Sequence, residues 1–161
     1  MDNQKFTVEI GGSAKVYLDG EFIGEYHNVI TNSCKDKILR TLIQDGTDAQ
    51  IDATHYMKYM AFSTGAILVN PQSSNIASVQ ATVEVLTASA VVSGASYASS
   101  LISGKWTNAT AGPLTINYIA LLYGAGDTTT DKVYSVINLT PTIVEAGQTM
   151  IVNYTFYMMY A

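Results

Sequence analysis

The chain carries very little charge through its central segment. Between Tyr59 and Gly126 only Glu84 and Lys105 are charged, in 68 residues, whereas a solvated surface normally carries far more. The remaining residues are mainly small, hydroxylic, β-branched or amide-bearing. This composition is typical of strands with one packed face and one neutral hydroxyl-and-amide face. We expect much of that neutral face to be covered by another protein.

Further absences exclude several classes of protein. The single cysteine excludes an intramolecular disulfide, which fits assembly in a reducing cytoplasm. Eight Lys and Arg against thirteen Asp and Glu give a net charge of −5, so we expect no nucleic-acid binding. The N-terminus lacks a basic segment followed by an apolar run, and windows 85–104 and 106–126 are interrupted by polar residues. We therefore predict no secretion signal, no membrane helix and a soluble protein.

The sequence shows no catalytic or metal-binding constellation. His27 and His55 have no partner at ligand spacing. Cys34 lies where a helix dipole could lower a thiol pKa, but no base adjoins it, so we expect a small buried residue. Three acidic residues could suggest a calcium loop but lack the D-x-[DN]-x-[DN]-G frame: Asp45, Asp48 and Asp52. We predict that the protein is not an enzyme and binds no metal or cofactor.

The N-terminal part predicts strands, a hairpin and one helix. Residues 5–10 alternate as a strand, and Gly11-Gly12-Ser13 indicates a turn. Asp19-Gly20 between two apolar runs indicates a tight hairpin. A short α-helix is predicted at about residues 33–45, because four aliphatic residues recur at helical spacing. Asn32 or Ser33 would cap this helix.

Later segments predict further strands and set the fold class. Strands are predicted at 56–62 and within 76–92, and four more are bounded by Gly, Pro, Asn or Asp: 95–103, 114–123, 132–140 and 149–159. We predict a mainly β, single-domain protein over residues 1–161, with an antiparallel β-sandwich or jelly-roll-like fold. Residues 1–13 are either an extended strand in this domain or an arm reaching to a neighbour.

Aromatic residues provide the candidate interface. In a C-terminal strand Tyr154, Phe156 and Met158 would share one face, while Tyr157 and Met159 would lie on the other. One face would then be core and the other covered, and a protein contact is an equally supported interpretation. Trp106 is either a sugar-stacking platform or a packed core residue. The candidate interface residues are Tyr56, Tyr59, Trp106, Tyr154, Tyr157 and Tyr160.

Four segments resemble those of a known protein family. Residues 16–30 lead into the short helix, and 59–65 (YMAFSTG) resemble a recurring "yialGtG" element. Residues 115–124 (TINYIALLYG) are similar to a strand that often reads "I-x-E-x-G-L-F", and 143–156 resemble a closing "v-x-x-G-d-x-l-x-V-x-Y-x-f" strand. Together they resemble the small β-sandwich virion proteins of tailed bacteriophages, which include head-decoration and tail-fibre-associated proteins.

The resemblance implies a function but no catalytic residue. It implies a non-enzymatic virion protein, made in the host cytoplasm and assembled onto the particle surface. One expectation is a capsid decoration or cement protein that binds the major capsid protein and neighbouring virion proteins, and that forms a homo-oligomer. The alternative is a tail, neck or fibre component with a receptor- or glycan-binding face. Neither membrane nor nucleic acid is expected as a partner.

Overall fold

The computed structural model describes residues 8–32, 34–35, 57–66, 76–85, 87–88, 92–123 and 133–160. In these ranges the chain is mainly β, as the composition and alternation predicted. Eight strands have six residues or more, and two have only two residues. The strands are β1 Val8–Leu18, β2 Glu21–Ile30, β3 Met57–Ser63, β4 Val79–Glu84, β5 Thr87–Ala88, β6 Val92–Ser93, β7 Tyr97–Thr107, β8 Leu114–Tyr123, β9 Val133–Val144 and β10 Thr149–Tyr160.

All paired strands run antiparallel and form one curled sheet. The order is β4-β3-β8-β9-β2-β1-β10-β7-β5, and β6 also pairs with β7. Strand β2 joins the two halves, because its first part pairs with β1 and its residues 28–30 pair with β9. The curl brings β3 opposite β7, where the rings of Phe62 and Trp106 have centroids 5.4 Å apart. The antiparallel β prediction is confirmed, whereas the predicted sandwich or jelly-roll arrangement is not.

The core lies inside the curl, and a second apolar cluster lies behind β8. Alternate residues of a strand point to opposite faces. On β8, Ile119 and Leu121 belong to the central core, while Tyr118, Ala120 and Leu122 belong to the second cluster. All five are fully buried. Strand β8 is therefore covered on both faces, unlike the half of the sheet built from β2, β1, β10 and β7.

The hairpin between β1 and β2 has the predicted turn. Asp19 and Gly20 both have positive φ, 48° and 88°, which a type I′ turn requires. The Asp19 N–H donates to the Thr149 carbonyl at 2.8 Å, and the Thr149 N–H donates to Asp19 Oδ1 at 2.8 Å. The turn is therefore fixed to the start of β10, and β1 lies between β2 and β10 over its second half.

The predicted turn at Gly11-Gly12-Ser13 is wrong. Strand β1 passes through these residues, and Gly11 and Gly12 pair with Tyr157 and Phe156. Two tyrosine rings of β10 lie against these glycines. A Cβ added at Gly11 would lie 2.6 Å from the Tyr157 hydroxyl, and one at Gly12 would lie 2.5 Å from the Tyr154 hydroxyl. Glycine is present here because the rings need its space, and residues 8–13 belong to the sheet.

Replacing Gly12 by alanine should therefore lower the free energy of unfolding by about 1–3 kcal/mol, the usual effect of overpacking a tight site. In addition to its contact with the Tyr154 hydroxyl, the new Cβ would lie 2.7 Å from the backbone oxygen of Thr155, which cannot rotate away. Gly112→Ala is the matched control, because nothing lies within 4 Å of a Cβ built there. Urea unfolding of both variants measures the difference, and equal stabilities would contradict the packing explanation.

The predicted helix is not confirmed beyond its first turn, and its cap lies one residue before the predicted Asn32. Asn32, Cys34 and Lys35 are helical, and the rest of the predicted span 33–45 lies outside the described residues. The Cys34 N–H donates to Thr31 Oγ1 and the Lys35 N–H to the Thr31 carbonyl, each at 3.2 Å. Thr31 is therefore the N-cap. Its hydroxyl also donates to the Val133 carbonyl at 2.5 Å, which fixes the helix start to β9.

Candidate functional site

One sheet face stays exposed and is broad enough to bind another protein. We name it the outer face: the odd-numbered residues of β1, β7 and β10, with Phe22, Glu25 and His27 of β2. The strand register places these residues side by side, for example Glu9 with Met159 and Met159 with Tyr97. The even-numbered residues of β1, β7 and β10 point the other way, into or toward the core. The outer face is thus a continuous surface four strands wide.

The outer face combines exposed apolar side chains with a neutral polar background. Its exposed apolar residues are Phe22 (53%), Tyr97 (45%), Leu101 (40%) and Met159 (40%). Its charges cancel, because the two glutamates Glu9 and Glu25 are balanced by the two lysines Lys15 and Lys105. Most other positions carry hydroxyl or amide groups that bond across strands, as in Ser103 with Asn153 at 2.8 Å and Thr107 with Thr149 at 2.8 Å.

The size of the outer face suits a stable protein contact. Four strands spaced about 4.8 Å apart and about eleven residues long, at about 3.3 Å per residue, cover roughly 700 Å². A standard protein–protein interface buries about 800 Å² on each partner. The match in size, together with the exposed Phe22, Tyr97 and Leu101, makes this face the main candidate functional surface among the described residues.

The predicted interface residues do not lie together on one surface of the structure. Tyr157 lies on the outer face and is half-buried over Gly11. Tyr59 is half-buried on β3, against the second apolar cluster. Tyr56 lies outside the described residues, and Tyr160 is described only through its backbone pairing with Val8. The two remaining candidates, Trp106 and Tyr154, are buried, which corrects the prediction that they contact a partner.

Trp106 is a core residue and not a sugar platform. It is 9% exposed and its ring packs on Phe62 at an interplanar angle of 30°. The nearby Asn108 is also buried, and its Nδ2 donates to the Gly112 and Val144 carbonyls at 2.9 and 2.8 Å. Its Oδ1 accepts from the Thr110 N–H and hydroxyl at 3.0 and 2.7 Å. Neither side chain is available to a glycan.

Tyr154 forms a buried polar network where β2 leaves β1. Its hydroxyl accepts a hydrogen bond from Asn28 Nδ2 at 2.5 Å and lies 3.1 Å from Ser135 Oγ. Asn28 Nδ2 also donates to Ser135 Oγ at 2.8 Å. Burial raises the pKa of Tyr154 above its ordinary value. The network links β10, β2 and β9 inside the protein, so its role is structural.

The environment of Cys34 is unlike that of a catalytic nucleophile. It is buried, and this desolvation raises the pKa of its thiol to about 12 despite the nearby Lys35. A catalytic cysteine needs a lowered pKa, because the thiolate is the reactive form. The expectation of a small buried residue is therefore confirmed.

These two groups should make the protein less stable in alkali. Their pKa values are raised in the folded state, so their contribution is complete below the unfolded pKa values of 9.0 and 10.0 and is lost as pH rises. The free energy of unfolding should fall above about pH 9, by at most about 1.4 kcal/mol per pH unit for each group. Urea unfolding between about pH 8 and 11 measures the fall. Cys34→Ala should reduce it, and an unchanged curve would contradict this explanation.

A cleft opens where β1 and β2 separate. Pairing of these strands ends at Ser13 and His27, after which β1 continues beside β10 and β2 beside β9. The cleft between them has a volume of about 420 Å³. It is lined by residues 9–12 of β1, residues 27–30 of β2, Lys35 and Tyr157. Glu9, His27 and Lys35 are exposed at this site.

The structure adds outer-face residues that sequence reasoning missed, above all Phe22, Tyr97 and Leu101. The signal is clearest at Leu101, whose neighbours in sequence, Ser100 and Ile102, lie on the opposite, inward face of β7. The candidate interface was predicted from clusters of tyrosine and methionine. Consecutive residues of a strand point to opposite faces, however, so such a cluster is divided between the core and the surface. The division proposed for residues 154–159 is confirmed: Tyr154 is buried and Met159 is exposed.

Within the described ranges, no group of three or more His, Cys, Asp or Glu residues could hold a metal ion. The described residues also include no helix long and apolar enough to cross a bilayer. No protein-family model, curated protein or solved structure matches the chain.

Proposed function

We propose that this chain is a non-enzymatic structural protein of a tailed-bacteriophage particle, which decorates the assembled head shell and stabilises it. The observation that carries the proposal is the outer face, a four-stranded neutral surface with exposed Phe22, Leu101 and Tyr97. The loose resemblance of four segments to small virion proteins supports the choice of particle. The partner is the major capsid protein, together with neighbouring copies of the chain and other virion proteins.

Stabilisation follows from mass action. A protein that binds the assembled shell but not its separated subunits raises the free energy needed to break the shell. A neutral face makes most of its contact through apolar and hydroxyl groups, so binding should change little with salt concentration. Icosahedral repetition of the binding surface gives many copies for each particle.

The alternative is a component of the tail, neck or fibre. Its proposed glycan-binding face lost its main support, because Trp106 is packed on Phe62 and Asn108 is saturated by backbone hydrogen bonds. The outer face could also be buried at a position on the tail. There, copies of the chain in a ring or trimer would cover this broad neutral face.

Copy number in the purified particle distinguishes these positions. Quantitative mass spectrometry against the major capsid protein should find hundreds of copies of a decoration protein. A few to a few tens would contradict the head assignment and place the chain on the tail or neck. Absence from the particle would contradict the proposed function as a whole.

A further inference from the structure

We propose that the cleft between β1 and β2 binds a short extended segment of a partner protein, which enters as an additional strand. The inference rests on the backbone groups that point into this cleft, and it does not depend on which particle or assembly the chain belongs to. It adds a second, peptide-binding site to the broad contact of the outer face.

The direction of the backbone groups can be read from two hydrogen bonds outside the cleft. In an antiparallel ladder, the N–H and C=O groups of one residue point to the same neighbour, and successive residues alternate. The Asp19 N–H donates to Thr149, so odd-numbered residues of β1 face β10 and even-numbered residues face β2. The Thr31 N–H donates to Tyr134, so odd-numbered residues at the end of β2 face β9.

Ile10 and Ile30 therefore point their backbone N–H and C=O groups into the cleft. Had β1 and β2 stayed paired, the register that ends at Ser13 and His27 would have placed these two residues opposite each other. They face a gap instead, and neither has a backbone partner on that side among the described residues. Unpaired strand edges are templates for another strand.

The cleft offers such an edge on both of its sides. Addition of a peptide strand to a sheet edge is an established mode of recognition, in which main-chain hydrogen bonds supply much of the affinity. A peptide here would pair with Ile10 on one side and Ile30 on the other. The volume of about 420 Å³ lies in the range of ligand-binding clefts.

The charges around the cleft specify the side chains of the peptide. Glu9 lies on the β1 side, whereas Lys35 follows the end of β2, and both are exposed. The part of the chain described here places no ion pair on either group. The segment that fits best therefore carries a basic side chain near Glu9 and an acidic side chain near Lys35, and it is otherwise uncharged and extended.

A blocked heptapeptide that alternates valine with threonine, lysine or aspartate serves as the probe. Titrated into the isotope-labelled full chain, it should shift and protect the backbone amides of Ile10 and Ile30 in NMR spectra, with a Kd of about 1 mM or tighter. The same peptide N-methylated on alternate residues cannot donate hydrogen bonds to one of the two cleft edges. It should bind at least about tenfold more weakly, which corresponds to about 1.4 kcal/mol.

Charge variants test the side-chain specificity. Glu9→Gln and Lys35→Gln should each weaken peptide binding by about two- to fivefold, the range of exposed ion pairs. Lys105→Gln on the outer face is the matched control and should change nothing. The strand β4, at one end of the sheet, is the internal control for non-specific pairing. Absence of shifts at millimolar peptide, equal shifts at Gln80 and Thr82 of β4, or undiminished binding of the N-methylated peptide would each overturn the proposal.

Discussion

Trp106→Ala should lower the free energy of unfolding by about 3–5 kcal/mol, the usual cost of removing a large aromatic side chain from a core. Trp106 is buried in the central cluster and packs on Phe62, which itself is completely buried. This pair joins β7 to β3, strands that lie far apart in the sheet order. The substitution would therefore leave a cavity where β3 and β7 pack against each other across the curled sheet. For a chain of this size the thermal midpoint should fall by roughly 6–20 °C.

Phe22→Ala is the control for this prediction. Phe22 is also aromatic, but it is 53% exposed on the outer face and touches Tyr17 edge to face, with centroids 5.5 Å apart. Its removal should cost about 1 kcal/mol or less. Calorimetry of both variants gives the comparison. A Trp106→Ala protein as stable as the parent, with altered glycan binding, would restore the sugar-platform interpretation and contradict the packing described here.

If the chain binds the head shell as proposed, Leu101→Lys should abolish most of that binding without unfolding the protein. Leu101 lies on β7, in the outer face, and pairs with Thr155 of β10. At 40% exposure it can place an ammonium group in water in the free protein, but a covered interface would have to desolvate that charge. A well-packed apolar contact in such an interface contributes about 2 kcal/mol or more, so we expect binding about 30-fold weaker or worse.

Ile143→Lys is the matched control for the shell-binding experiment. Ile143 is an aliphatic strand residue that is 56% exposed, but it lies on β9 outside the outer face. Both variants add the same charge, so any general electrostatic effect on particle binding would be shared. Sedimentation of each labelled variant with empty shells measures the affinity. Equal losses, or a loss confined to Ile143→Lys, would contradict the assignment of the outer face.

Local sequence signals predicted the strands well where the pattern was regular. Residues 114–123 were predicted as a strand and form β8 with those bounds, and the Asp19-Gly20 turn was predicted from its positive-φ residues. Residues 76–92, which read as a long strand or two, are divided among β4, β5 and β6. Alternation alone does not show where a strand changes its partner.

Features set by distant contacts could not be predicted from the sequence. Gly11 and Gly12 look like a turn because glycine is common in turns, but here they make room for two tyrosine rings that arrive from a strand about 140 residues later. The N-cap falls on Thr31 because β2 ends there and the hydroxyl reaches the Val133 carbonyl. The candidate surface depends on the sheet register, which places Phe22 and Leu101 on the same face.

Hydroxyl-radical footprinting of the chain on its purified particle tests the central claim most directly. Met159, Tyr97 and Phe22 are exposed, readily oxidised side chains of the outer face, and Ile143 is an exposed side chain elsewhere. If the outer face binds the shell, these three residues should be strongly protected in the particle relative to the free chain, while Ile143 keeps its reactivity. Unchanged oxidation at all three outer-face residues in a particle-bound chain would contradict the account.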